Sequence, residues 1–388
     1  MSQFIKRNNR RRFILKDKDI RNIDVVLLLA MIGLSLFGIL NIYLCTKGDV
    51  FSTPYIFVKR QIIWFFISMI VAYYLLCINY REIYDIAPIF YWITIGLLVA
   101  VWIPHIGIKV NGARGWINLR VMKLQPAEFA KFSIMLMLGK LIEDMDGKIN
   151  DLRNLTKIIM YAALPIVLIL IEKDMGMTMV SFFIVLGIVF FCELDKRILR
   201  GGLIALFITI VIAWNLGVIQ DYQKKRLTEF TSETIDVSGD GYQLYQGIIG
   251  VGAGGIFGTD VSLDPKVSPG YVGTHVPEVQ TDFIFTAIAE QWGLLGAIFL
   301  LSLYGILITK MINIARTAKD ILGSVVSIGM VSYLLFAIMQ NIGMTIKLMP
   351  ITGITLPLIS YGGSSLLTTI AAITIVINIG MRREKINF

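Results

Sequence analysis

Charge is what this sequence has least of. Asp, Glu, Lys and Arg make up 16% of its 388 residues, against about 25% in soluble domains, so the chain cannot coat a water-soluble globule of its size. Two histidines, His105 and His275, are too few for a zinc site without several carboxylates. Three cysteines, Cys45, Cys77 and Cys192, lie in or at the ends of apolar runs without metal-type spacing. An odd set also excludes a disulfide framework, so they read as packing residues. The net charge of +9 is dispersed along the chain, which excludes a nucleic-acid groove. It leaves membrane lipid headgroups, pyrophosphate or anionic sugars as partners. There is no low-complexity tract and no tandem repeat.

What is present is hydrocarbon-soluble sequence. Hydrophobic residues make up 56% of the chain and the mean hydropathy is +0.73, the composition of an integral membrane protein. A spanning helix needs about 20 apolar residues. Ten runs are candidates: 25–45, 61–78, 86–103, 126–143, 157–172, 176–193, 201–219, 282–309, 321–345 and 361–381. Glu172, Lys173 and Asp174 interrupt the region 157–193, either as a turn between two short helices or as a kink in one. The turn gives an even count. A basic head (Lys6, Arg7, Arg10, Arg11, Arg12) precedes the first run, which is too long for a signal-peptide core and has no small-residue cleavage site after it. The expected fold class is an all-α polytopic membrane protein of about ten transmembrane helices. A head at 1–22 precedes a single domain at 23–382, and a tail follows at 383–388. Lys and Arg are denser on the side of the head, which puts both termini in the cytoplasm.

On the other side, cations gather in two loops. The first, 105–125, carries Lys109, Arg114, Arg120 and Lys123; the second, 220–281, carries Lys224, Lys225, Arg226 and Lys266. The second is far longer than a connection requires, and long ordered loops are usually functional. Its apolar content is too low for a core of its own. Within it, Gly250-Val251-Gly252-Ala253-Gly254-Gly255 matches a dinucleotide fingerprint in form only, because no βαβ unit surrounds it. Residues 248–258 read instead as a loop at the membrane surface. Asp236, Ser238 and Asp240 resemble part of a calcium loop whose closing Glu is missing.

The functional reading rests on charges at the membrane boundary. Asp282 follows Thr281 and precedes Phe283-Ile284-Phe285. It is either a first-turn acid on the helix dipole or a charge held in the membrane for a purpose. In Leu124-Gln125-Pro126-Ala127-Glu128-Phe129-Ala130-Lys131, Pro126 suits a first helical turn and Glu128 its positive end. Lys131 lies a turn deeper. It can pair with Glu128 at i,i+3, or meet Asp282 across the bundle. Glu290, about two turns past Asp282, either lines the same cavity or satisfies neighbouring polar groups. Arg114 beside Trp116 is an interfacial anchor or a headgroup site, with guanidinium forked onto phosphate and indole on a sugar face. The Pro- and Gly-broken stretch 349–365 is tolerated at membrane depth only when packed on protein or lining a cavity.

Together these stretches resemble the SEDS family (shape, elongation, division and sporulation), the group of RodA, FtsW and SpoVE. The resemblance covers nearly the whole chain. It is carried by Arg114-Gly115-Trp116-Ile117, Gln125 to Lys131, Gly241-Tyr242-Gln243, Thr281 to Phe285, and the tail from Pro350 to Ser365. Gly343-Met344 leans towards the RodA branch. The resemblance implies a peptidoglycan glycosyltransferase of the bacterial cell membrane that polymerises lipid II and partners a class B penicillin-binding protein. Carried over residue by residue, the essential carboxylate falls on Asp282 and the motif lysine on Lys131; the mechanism expected from these is Asp282 as base, kept ionised by Lys131. Arg114, Trp116, Gln125, Glu128, Asp174 and Gln223 fall on substrate-binding positions, with Arg60 and Lys347 as further cations for pyrophosphate. A divalent cation (Mg or Mn) is a candidate aid at the pyrophosphate, with no ligand set assigned and no organic cofactor expected. The chain departs from the family pattern at Gln280 (usually His), at Gly247 (often Ser) and at Glu172-Lys173-Asp174-Met175-Gly176-Met177 (usually Gln-Pro-Asp-Leu-Gly-Thr). A lipid II flippase and a non-catalytic scaffold are the competing readings.

Overall fold

A computed structural model of the chain describes residues 21–47, 55–110, 113–118, 123–215, 240–259, 261–264 and 267–383. In chain order the elements are α1 Val25–Thr46, α2 Ile56–Cys77, α3 Tyr80–Ala100, β1 Gly107–Val110, β2 Ala113–Asn118, β3 Lys123–Leu124, α4 Pro126–Asp144, α5 Leu152–Ile171, α6 Met175–Phe191, α7 Lys196–Asn215, α8 Asp240–Gly254, α9 Tyr271–His275, α10 Ile284–Arg316, α11 Ile321–Thr345 and α12 Gly363–Met381. Each of the ten apolar runs coincides with a helix. Seven of these (α1, α2, α3, α5, α10, α11 and α12) are long and apolar enough to cross a membrane by length and composition. Of the other runs, α4 carries five charged residues and α6 has only 17 residues.

Polar residues at the run boundaries start the helices. Asp24, Asp174 and Asp320 each accept the backbone N–H three residues on, at 3.1, 3.0 and 2.9 Å, the usual N-cap bond. Asp174 thus closes the turn between α5 and α6, the turn expected at 172–174. The bundle is built round α11 and α12, which bury 72% and 83% of their most apolar stretch, against 28% for α2, α3 and α5. On α2 the exposed Ile63, Phe66, Ile70 and Tyr73 recur at helical spacing, a stripe suited to lipid. Cys45 packs with Val272, Val276, Val279, Phe283 and Ala287, in keeping with a packing role.

Three features differ from the sequence reading. The loop 105–125 holds a small antiparallel meander, in the order β1-β2-β3, with Trp116 opposite Ile108 and Ile117 opposite Leu124. Its strands are too short to show a period against the surrounding polar residues. Residues 248–254, read as loop, are the second half of α8, because their small residues lie against α10. The run at 282 becomes helical at Ile284 and continues to Arg316, but is broken at Gly293, where φ is 61° and ψ −160°. At the break Leu294 and Leu295 donate their N–H groups to the carbonyls of Gly255 and Ile256, at 3.0 and 3.2 Å, and Thr259 donates to the Glu290 carbonyl at 2.9 Å. The glycine-rich turn after α8 therefore satisfies a helix break that hydrocarbon could not. A Cβ on Gly293 would lie 2.4 Å from the Gly258 nitrogen, so only glycine fits.

Candidate active site where the sheet meets the central helices

The first turn of α4 puts its two charges on one face. Lys131 Nζ lies 2.6 Å from Glu128 Oε2, with the two side chains 5% and 4% exposed. The Lys131 ammonium also sits 4.1 Å from the centroid of the Tyr333 ring on α11. The Thr368 hydroxyl of α12 donates to Glu128 Oε2 at 3.3 Å. The i,i+3 pairing is thus the one that forms. The i,i+3 spacing gives the ammonium a carboxylate on its own helix without crossing the bundle. These groups line a small cavity with Phe132, Met135, Met330, Thr369 and Ala372.

Above this pair stands the turn between α5 and α6. Gln125, just before α4, donates through Nε2 to Asp174 Oδ2 at 2.9 Å, while Asp174 Oδ1 caps α6. The meander docks on the same turn, with Arg114 N–H donating to the Glu172 carbonyl at 3.1 Å. Arg114 and Trp116 alternate onto one face of β2. The guanidinium, however, rests 5.6 Å over the ring of Trp102 rather than on Trp116. Glu172 is wholly buried, and among the described residues neither of its carboxylate oxygens has a hydrogen-bond partner. Burial first, and the Asp174 charge second, raise its carboxyl to about 8. Burial also raises Asp174, against the hydrogen bonds from Met177 and Gln125.

Asp282 lies in the turn before α10. Its carbonyl accepts Asn341 Nδ2 at 2.8 Å, and the same amide donates to the Ile354 carbonyl at 2.7 Å. Thr281 donates its hydroxyl to Asp282 Oδ1 at 2.9 Å. A Cβ on Gly353 would lie 3.7 Å from Asp282 Oδ2, and one on Gly176 would lie 2.8 Å from the Thr352 carbonyl. The stretch 352–354 therefore runs between the Asp174 turn and Asp282. Gln280 gives its carbonyl to Tyr361 N–H at 2.8 Å, and Gln61 brackets the next residues, donating to the Ser360 carbonyl and accepting from Gly362 N–H, both at 3.2 Å. Arg60, beside Gln61, is exposed, and Lys347 adopts a left-handed φ of 62° in the link after α11. Gln223, Arg120, Lys224, Lys225, Arg226, Lys266, Asp236 and Ser238 lie outside the described residues.

The fold thus gathers Arg114, Gln125, Glu128, Lys131, Asp174 and Asp282 round one end of α11 and α12. A match to the FtsW, RodA and SpoVE family profile, described as cell cycle protein, covers residues 21–385. The chain belongs to the FtsW/RodA/SpoVE family. Stage V sporulation protein E of Bacillus subtilis (strain 168) is 30% identical over 364 residues, covering 92% of this chain and 96% of that protein. The peptidoglycan glycosyltransferase MrdB of Escherichia coli (strain K12) is 29% identical over 372 residues, covering 94% and 95%. Among solved structures, the rod shape determining protein RodA of Thermus thermophilus aligns with a TM-score of 0.69 at 26% identity, covering 94% of this chain and 98% of that one. A chain from work on the structural coordination of polymerization and crosslinking by a peptidoglycan synthase complex aligns at 0.78 with 27% identity, covering 93% and 98%. Like other members of the FtsW/RodA/SpoVE family, this is a multi-pass membrane protein.

Sequence reasoning missed several members of the site. Tyr333 and Thr368 sit inside apolar runs, where a lone polar residue reads as filler; both are buried, Tyr333 under the Lys131 ammonium and Thr368 bonded to Glu128. Trp102 ends an apolar run and resembles an interfacial anchor. Glu290 resolves to its structural alternative: its two carboxylate oxygens accept the N–H groups of Tyr271 and Val272, at 2.6 and 2.9 Å, and start α9. Among the described residues, no group of three or more His, Cys, Asp or Glu side chains is arranged to hold a metal.

Proposed function

We propose that this chain is a peptidoglycan glycosyltransferase that polymerises lipid II into β-1,4 glycan strands and releases undecaprenyl pyrophosphate. The observation that carries the reading is family membership over 21–385, together with a relative named for this activity along nearly its full length. The site chemistry supports it. The donor sugar is α-linked to pyrophosphate and the product is β-linked, so one inverting displacement suffices. The acceptor 4-hydroxyl attacks the anomeric carbon, its proton passes to Asp282, and the bond to pyrophosphate breaks. A positioned base of this kind contributes about 10²–10⁴-fold. Asp282 suits the role because Asn341 fixes its backbone, and the Thr281 hydroxyl orients its carboxylate through Oδ1.

Arg114 is the first cation for the pyrophosphate charge, followed by Lys123, Arg60 and Lys347, with Trp116 on the sugar face. Cations aimed at the leaving group act where charge develops. Among the described residues no carboxylate cluster is arranged to hold a divalent ion, so any Mg or Mn would be held mainly by the substrate pyrophosphate. Lys131 serves Asp282 indirectly, by neutralising Glu128 so that no further net negative charge is buried below the Asp174 turn. In this reading both termini are cytoplasmic, and a class B penicillin-binding protein is the partner that crosslinks the strands. The peptidoglycan synthase complex that contains a similar chain supports such a pairing.

The test is whether purified protein with its partner converts lipid II to glycan strands in detergent. Flipping has no meaning there, so strand synthesis supports the polymerase. Its absence, with lipid II transport in vesicles, would favour the flippase.

A further inference from the structure

We propose that Glu172 is a positioning residue that holds the Arg114 strand over the site as a neutral acid, and releases it when it ionises. The inference rests on the polymerase reading for its activity readout only. Four observations carry it. Glu172 is wholly buried, and among the described residues neither carboxylate oxygen meets a donor. Its carbonyl is the dock for β2, through the Arg114 N–H at 3.1 Å. A Cβ on Gly115 would lie 3.3 Å from Glu172 Oε2 and 4.0 Å from Asp174 Oδ2, so both carboxyl groups face the underside of the same strand. Asp174 is engaged on both oxygens, by Gln125 and by Met177.

Two carboxylates under one strand, one of them with no donor, cannot both be charged cheaply in a dry site. Burial raises the Asp174 carboxyl, but the hydrogen bonds from Met177 and Gln125 and the field of Lys131 work against that rise, with Glu128 opposing them, and Glu172 has no such donors among the described residues. Glu172 therefore takes the proton. Among the described residues the other charged groups round the turn are engaged elsewhere: Arg114 on β2 rests its guanidinium on Trp102, and Lys173 is exposed to solvent. When Glu172 ionises, its charge faces Asp174 beneath Gly115. The relief open to it is to admit water under β2, which loosens the docking of Arg114. The carboxyl titrates at about 8, so the latch is closed at neutral pH and opens in mild alkali.

Two measurements test this. First, hydrogen exchange of the β2 amides in the wild-type protein is followed from pH 6.5 to 9.5 and corrected for the intrinsic rate. Protection at Arg114 should fall by about tenfold for each pH unit above 8, and protection that is flat to pH 9.5 would overturn the proposal whether or not the protein polymerises anything. Second, Glu172→Gln with its partner should keep neutral-pH polymerisation within about twofold of wild type and lose the alkaline fall. At pH 9.5 the variant should then exceed wild type by roughly thirtyfold. An alkaline limb shared by both proteins, or a folded variant inactive at pH 7, would show that the proton on Glu172 does not set the position of Arg114.

Discussion

Replacing Lys131 with methionine and Glu128 with glutamine, singly and together, probes what the buried pair of α4 contributes. Both side chains are almost wholly out of solvent, at 5% and 4% exposure, and 2.6 Å apart. Lys131→Met leaves the Glu128 carboxylate with the Thr368 hydroxyl alone, at 3.3 Å. Stranding one charge of a buried pair costs about 3–5 kcal/mol. Glu128→Gln leaves the ammonium above the Tyr333 ring, at 4.1 Å, where a desolvated cation–π contact returns about 2 kcal/mol. The net loss is then about 1–3 kcal/mol. The double variant strands no charge, so it should be more stable than Lys131→Met alone. The assay is the thermal midpoint in detergent, in the order Lys131→Met lowest, then Glu128→Gln, with the double variant above Lys131→Met. If the two single losses simply add in the double variant, the pair is not coupled and the account of α4 is wrong.

Two further predictions concern the loop that seals α10. Gly293→Ala should lower stability by about 2 kcal/mol or more, since a Cβ at positive φ must displace the Gly258 backbone; raised exchange at Leu294 and Leu295 would accompany the lower thermal midpoint. Glu290→Ala removes both acceptors that start α9, each charge-assisted bond contributing about 1.5–3 kcal/mol. Proteolysis or hydrogen exchange confined to 270–276 should increase, while the α4 pair stays protected.

Most of the helical architecture was legible because spanning segments obey a length rule that needs no tertiary information. Pro126 marked its helix start and Glu172-Lys173-Asp174 marked a turn, because such residues at run ends have few other uses. The site was legible only as far as its charged members stood out from apolar sequence. Tyr333 and Thr368 did not, since their roles depend on which helix faces them. The partner of Lys131 was also open, because sequence fixes spacing along one helix but not distance between two. The break at Gly293 and its repair by residues 254–259 involve segments far apart in sequence, and the glycines there resembled an ordinary loop.

The central claim is that Asp282 takes the proton from the acceptor hydroxyl. Its most direct test is glycan strand formation from lipid II by purified wild type and Asp282→Asn, each with its partner and each shown to be folded by an unchanged thermal midpoint. The account predicts a fall of at least about 10²-fold in the variant, with lipid II binding retained through Arg114. Strand synthesis at the wild-type rate by folded Asp282→Asn would contradict it.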